Sequence, residues 1–331
     1  MAEVQPVKAR YIGYVKDTEN HGDEALIWIL KDLLAPEIEV STDTDDFAIA
    51  ILGGGTLINQ SPWLMDWFAE HQAKARHSVV FGTGVGDPLF WGDNVNRWNN
   101  LLKHCIRTGV RGPHSAQLLA DHGFNRAEMI GDPYLVLQPP MEWRPAPKRL
   151  AVNFGTANGA ILGGDEAGFL KFVQELLTRV REDGWSIVWI SVWSQDLKIM
   201  RQIRQAVGVN SGPLLDARSD TLEALSALSR CTVLLGEKLH ALAMGAVTGT
   251  PFLAWEYQPK VRDFCASLDM EKLVLSTKFR EVTGTKRRLE DLAQQGDAVA
   301  KELLQSTAVR RRSILEFASE LRRWAGTLEG T

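Results

Sequence analysis

Short apolar runs recur along the chain, each closed by glycine or a polar turn. Most are followed by a stretch whose apolar positions repeat at helical spacing. Ala9–Val15, Ile38–Ser41, Phe47–Leu52, Ser78–Phe81, Cys105–Val110 and Ala127–Ile130 read as strands of a first half. Arg149–Phe154, Ser186–Val192, Leu214–Asp216, Thr232–Leu235, Phe252–Trp255 and Leu273–Ser276 read as strands of a second. Apolar runs of this length bounded by Gly and Pro fit buried parallel strands. Amphipathic stretches such as Ala25–Leu34, Asn94–Lys103, Gly168–Glu182 and Leu197–Ala206 fit the crossover helices. Strand and helix in alternation predict an α/β protein with two Rossmann-like halves.

Between the halves, Gln138–Lys148 holds four prolines and reads as a stiff linker. The expected organisation is an N-terminal domain, 1–138, a second domain, 149–285, and C-terminal helices over 286–331. Two helices are expected there, at about Arg288–Leu304 and Val309–Trp324.

The stretch Cys231–Phe264 organises the second half. A small-residue helix, Leu239–Val247, joins its two apolar runs into a βαβ unit. His240 follows the first run and Lys260 the second, both at strand carboxyl ends, where open α/β sheets bind ligands. Adjacent strands lie about 4.8 Å apart, which places the two side chains to meet one small anion.

The first half has its own rim loops. Asn20, His21, Asp23 and Glu24 precede or open the first helix. Capping and dipole complementarity explain Asp23 and Glu24 as well as a role at a site does. Gly53-Gly54-Gly55-Thr56 and Gly82-Thr83-Gly84-Val85-Gly86 read as glycine-rich loops that permit positive φ and close backbone approach. Neither matches the dinucleotide fingerprint or a phosphate loop ending in Gly-Lys-Ser/Thr. Arg111, His114 and Asp132 fall at the same rim.

Composition narrows the class. The chain has 331 residues, 45% of them hydrophobic and 24% charged, which suits two soluble domains. No run of about 18 apolar residues is present, and the start lacks the apolar core of a signal peptide. Three separated cysteines make neither a disulfide framework nor a metal cluster and favour a reducing cytoplasm. The net charge of −4 argues against nucleic-acid binding. Residues 276–331 carry eleven Lys or Arg against eight acidic residues, with Arg310-Arg311-Arg312 and Arg322-Arg323 on helical segments. A solvated helix face is the plain explanation. Contact with an anionic membrane surface is the sharper one.

The motifs occur in one order: N-H-G-D-E-A-L, G-G-G-T-L, G-T-G-V-G, V-R-G-P-x-S, G-D-P, then K-L-H-A-L-x-x-x-A-x-x-G-T-P and Y-x-P-K-V-x-x-F. This set resembles the polysaccharide pyruvyl transferase family over about residues 11 to 264. The departures are Lys238 where an arginine is common, Thr83 where a Gln is usual, and no glycine before Asn20. The resemblance implies a GT-B-like fold, two Rossmann-like domains facing each other across a cleft. It implies transfer of a pyruvyl group from phosphoenolpyruvate to a sugar as a cyclic ketal, with release of phosphate. It implies phosphoenolpyruvate contacts at Arg111, His240 and Lys260, with His240 as catalytic acid or base. Acceptor or supporting roles would fall to Asn20, Asp23, Gly54, Gly55, Thr83 and Asp132. Neither a cofactor nor a metal is implied. The acceptor would be a saccharide, in many members lipid-linked at the inner face of the cytoplasmic membrane, in exopolysaccharide or cell-envelope synthesis.

Two other readings stand beside it. A nucleotide-sugar glycosyltransferase of the same fold would use the second domain's glycine-rich loops for the diphosphate and Glu237 or Glu256 for the ribose. A non-catalytic sugar-binding relative would keep only the scaffold.

Overall fold

In the computed structural model, described here for residues 5–13, 19–59, 61–208, 211–278 and 280–328, the apolar runs become two parallel sheets. The loop residues Lys16, Asp17 and Thr18 lie outside the described residues. The strands are β1 (Val7–Ile12), β2 (Ile38–Ser41), β3 (Ile49–Gly53), β4 (Thr56–Ile58), β5 (His77–Val85), β6 (Cys105–Val110), β7 (Ala127–Met129), β8 (Arg149–Asn153), β9 (Ser186–Ser191), β10 (Leu214–Asp216), β11 (Val233–Gly236), β12 (Phe252–Glu256) and β13 (Val274–Ser276).

The first sheet runs β2-β1-β3-β5-β6-β7, with β4 added along β5, and the second runs β10-β9-β8-β11-β12-β13. Each strand pairs in parallel with its neighbours. In the second sheet the chain steps outward from β8 to β10, then returns to the other side of β8 with β11. The strand order therefore reverses between β8 and β11, and the carboxyl edge there is the natural ligand crevice. β3 and β11 are buried at every residue, as sheets covered by helices on both faces require.

The chain divides into two compact units. One comprises Met1–Thr18, Gly22–Val136 and Val309–Thr331; the other comprises Glu19–His21 and Leu137–Ala308. The first unit packs its core around Leu52, Phe68, Val80 and Trp98. The second buries Trp189 and Trp255 completely among Phe154, Phe169 and Phe172.

Three local features differ from the sequence expectation. Gly82–Val85, expected as a loop, continues β5, because Thr56 and Ile58 of β4 pair with Gly84 and Val85. The first C-terminal helix is Val282–Gln294. The second is one helix of 30 residues, Gly296–Ala325, which passes through the expected break near Ser306 and Thr307. Thr307 is buried there and its hydroxyl donates to the Ala246 carbonyl, so a residue that reads as a helix breaker is satisfied inside the helix. In the first unit, Phe317 meets Phe81 edge to face at 5.2 Å and Trp324 meets His77 at 4.8 Å. Arg310, Arg311 and Arg322 donate to the carbonyls of Met129, Leu135 and Ala35. Arg312 and Arg323 are exposed.

Candidate active site

His240 and Lys260 occupy the same position in consecutive βα units. The helix Leu239–Thr248 follows β11, with Lys238 at its N-cap and His240 second in the helix. The helix Pro259–Ser267 follows β12, with Gln258 at its N-cap and Lys260 second. Leu234, Leu235 and Gly236 of β11 pair with Phe252, Leu253 and Ala254 of β12, so the two helices start side by side at one sheet edge. Neither carries a side-chain cap. Other helices of this unit do: Asp165 caps Glu166–Glu182 and Asp220 caps Thr221–Leu228. An uncapped N-terminus presents orphan amides and the positive end of the helix dipole, a setting that favours anions. His240 and Lys260 are both half-buried.

Behind them lies a buried charge cluster. Lys238 Nζ donates to the Thr156 carbonyl at 2.6 Å and lies 3.3 Å from Glu237 Oε1 and 3.8 Å from Asp196 Oδ1. It also sits 4.6 Å from the centroid of the Tyr257 ring and 5.6 Å from that of Trp193. Lys260 Nζ lies 5.1 Å from the same Tyr257 ring. Asp196 and Glu237 are both fully buried. Burial pushes the Asp196 carboxyl up to about 7, with Lys238 pulling the other way, and burial raises Glu237 likewise. For Lys238, burial works against the charge, yet Glu237, Tyr257 and Asp196 together hold its pKa above the usual lysine range.

The glycine-rich segment after β8 has its amides occupied by the protein's own carboxylates. Glu237 Oε2 accepts from Gly155 N at 3.0 Å, and Asp196 Oδ1 accepts from Thr156 N at 3.0 Å. Glu166 accepts from Ala157 N at 2.6 Å and from Gly159 N at 2.8 Å. Those amides lower the Glu166 pKa despite its partial burial. Gly155 is required here, because a Cβ would fall 1.8 Å from Asp196 Oδ1.

Residues 19–21 join this edge from far away in sequence. Asn20 forms an antiparallel bridge with Trp193, His21 N donates to Val192 O at 2.9 Å, and Ser194 N donates to Glu19 O at 3.2 Å. Arg218 pairs with Asp216 at 2.7 Å and lies 3.7 Å from Glu19. His21 is buried, and burial first, then the neighbouring His240, push its pKa down to about 4.

The remaining sequence candidates gather in the first unit. Arg111 is buried; Nη1 donates to Gly55 O at 2.9 Å and Nη2 to Thr56 Oγ1 at 2.8 Å. Asp132 Oδ2 lies 4.0 Å from Arg111 Nη1, while Asp132 Oδ1 accepts from Tyr134 N at 3.0 Å. Burial raises the Asp132 pKa against the pull of Arg111. Thr83 is buried, its carbonyl accepts from Arg111 N, and its hydroxyl accepts from Leu57 N. Gly54 and Gly55 adopt positive φ, 67° and 57°, which turns the Gly55 carbonyl into this cluster. Asp23 is in the first turn of the helix His21–Leu34.

The structure thus brings His240, Lys260 and Asn20 to one edge of the second sheet, and Arg111, Gly55, Thr83 and Asp132 into one cluster of the first. Lys238, Asp196, Glu166 and Tyr257 had no assigned role from sequence. Their signal is faint, since an acidic residue in a first helical turn or a Glu-Lys pair after a strand is ordinary. Among the described residues, no group of three or more His, Cys, Asp or Glu side chains is placed to hold a metal ion, and no helix is long and apolar enough to cross a membrane.

Known structures of similar shape include the S. aureus MnaA–UDP complex, at 9% identity over 91% of both chains with a TM-score of 0.61. A glycosyltransferase from Rickettsia africae ESF-5 matches at 9% identity over 96% of this chain and 98% of that one, with a TM-score of 0.58. A putative UDP-N-acetylglucosamine 2-epimerase from Listeria monocytogenes matches at 10% identity over 91% of both, with a TM-score of 0.57. At such identities the likeness is one of fold, that of GT-B glycosyltransferases. No curated protein sequence matches the chain. The polysaccharide pyruvyl transferase family matches residues 20–259, a span that contains both the edge bearing His240 and the Arg111 cluster, and the chain belongs to that family.

Proposed function

We propose that the protein transfers a pyruvyl group from phosphoenolpyruvate to two hydroxyls of a saccharide, forming a cyclic ketal and releasing phosphate. The observation that carries this reading is the matched placement of His240 and Lys260, each second in an uncapped helix at adjacent strand ends. Phosphoenolpyruvate brings a phosphate and a carboxylate, and both suit an ammonium and the positive end of a helix dipole. The family resemblance gives Arg111 a donor contact, a role that suits a guanidinium, which can grip an anionic group with two bonds.

The chemistry begins with a proton. His240 gives it to C3 of the donor, which makes C2 electrophilic. One acceptor hydroxyl adds to C2 and returns its proton to the emptied His240. The second hydroxyl adds as the C2–O bond to phosphate breaks, which closes the ketal, and its proton leaves with the phosphate. Lys260 and the helix amides balance the charge that gathers on the departing phosphate. In this reading the acceptor is a saccharide, lipid-linked where the exposed Arg312 and Arg323 meet an anionic membrane face.

The nucleotide-sugar alternative fares worse at a specific place. It needs the amides after β8 for a diphosphate, but Glu237, Asp196 and Glu166 already accept from them. A diphosphate there would face three carboxylates. Glu237 is fully buried, and Glu256 is forked to Arg262 at 2.8 and 2.6 Å, so neither is presented to a ribose.

The deciding experiment incubates purified protein with phosphoenolpyruvate and a panel of aryl glycosides, scoring phosphate release and the mass of the pyruvyl ketal. A parallel arm supplies nucleotide sugars. Hexose transfer in that arm without ketal in the first would overturn the reading.

A further inference from the structure

Ketal formation moves more protons than one histidine can handle, and this inference rests on the pyruvyl-transfer reading. C3 of the donor gains one proton and two acceptor hydroxyls each lose one. His240 can act once as acid and, so emptied, once as base. The other hydroxyl proton needs a second acceptor before it leaves with phosphate.

We propose that His21 is that second base, delivered to the His240 edge by the segment Glu19–His21. The backbone is anchored there by the antiparallel bridge of Asn20 to Trp193, which is made by two hydrogen bonds, His21 N to Val192 O at 2.9 Å and Ser194 N to Glu19 O at 3.2 Å. Arg218 adds a side-chain tie, 3.7 Å from the Glu19 carboxylate and forked onto Asp216 at 3.1 and 2.7 Å. Although β1 and most of the first helix belong to the first unit, these three residues group with the second. His21 is 4% exposed. The charged and titratable groups that act on it are His240, Asp216 and Arg218. Burial first, then His240 and Arg218, disfavour the imidazolium, and Asp216 opposes them only in part. A neutral His21 imidazole suits a base, while the proposed chemistry gives His240 the part of the acid.

The proton balance is closed. His240 passes its proton to C3 and is refilled by the first hydroxyl. His21 takes the proton of the second hydroxyl and gives it up to the departing phosphate, returning to the neutral form. No further reagent is consumed.

Two measurements test this. In His21→Gln, checked for native circular dichroism, kcat should fall by about 10²- to 10⁴-fold with KM for phosphoenolpyruvate little changed, and free imidazole should restore turnover to His21→Gly. Independently of activity, the NMR titration of the His21 ring should move to higher pH in His240→Gln than in the wild type. Wild-type turnover by His21→Gln, or an unmoved His21 titration in His240→Gln, overturns the proposal. If the wild-type protein releases no phosphate from phosphoenolpyruvate, the donor reading falls and this role with it. Loss confined to the His21 variants would support the base and leave the donor reading standing.

Discussion

The Lys238 ammonium lies 3.3 Å from Glu237 Oε1, and both side chains are buried at the strand edge that also carries His240. One lysine thereby serves two buried carboxylates, because Asp196 Oδ1 is 3.8 Å from the same nitrogen. Lys238→Met should leave both carboxylates without their cation. Removing one partner of a buried pair costs about 3–5 kcal/mol, readable as a lowered urea midpoint at unchanged slope. A midpoint like that of the wild type would mean that the cluster does not depend on the lysine.

The pH dependence of stability should separate Asp196 from His21. Folded His21 titrates near 4 against a reference of 6.5, so between these values the unfolded chain binds more protons and stability rises with pH. Folded Asp196 titrates near 7 against 3.8, so across that window the folded chain binds more protons and stability falls as pH rises. The two slopes oppose each other in the wild type. Relative to it, Asp196→Asn should tilt the stability profile upward with pH, and His21→Gln should tilt it downward. Denaturation midpoints of the three proteins at about pH 4.5 and about pH 7 measure both tilts, and profiles that stay parallel would contradict the assignments.

Gly84 should tolerate no side chain. A Cβ there would lie 2.2 Å from Arg111 Nη2 and 2.8 Å from its Cζ. Gly84→Ala must push the guanidinium off Gly55 O and Thr56 Oγ1, which it now reaches at 2.9 and 2.8 Å. Overpacking of this kind costs about 1–3 kcal/mol. Thermal unfolding measures it. If Arg111 also serves the donor, phosphoenolpyruvate KM should rise in the same variant.

Lys260 and His240 should fail differently. Lys260→Met removes a charge that the reading gives to the donor, and a hydrogen bond to a charged group is worth about 1.5–3 kcal/mol. The expected result is a KM for phosphoenolpyruvate raised about 10- to 150-fold, partly recovered in Lys260→Arg. His240→Gln should instead lower kcat by about 10²- to 10⁴-fold. Near-normal turnover by His240→Gln would remove His240 from the chemistry.

The sequence alone determined the two parallel sheets, because buried central strands must be continuously apolar and their ends must turn through glycine and proline. It also placed His240 and Lys260 at strand carboxyl ends, since a strand-to-helix step fixes the edge on which the following residues emerge. Tertiary structure alone decided what those residues meet. Asp196 and Glu237 lie far apart in the chain, yet their carboxylates accept from the Thr156 and Gly155 amides after β8, a pairing set by the order of β8, β9 and β11 rather than by local pattern. The expected glycine loop at Gly82–Val85 became strand because β4 supplies partners that no local pattern announces. His21 is the clearest case. Its neighbours in sequence open an ordinary helix, whereas its place at the edge of the second sheet depends on one backbone bridge of two hydrogen bonds to residues 192–194, more than 170 positions away.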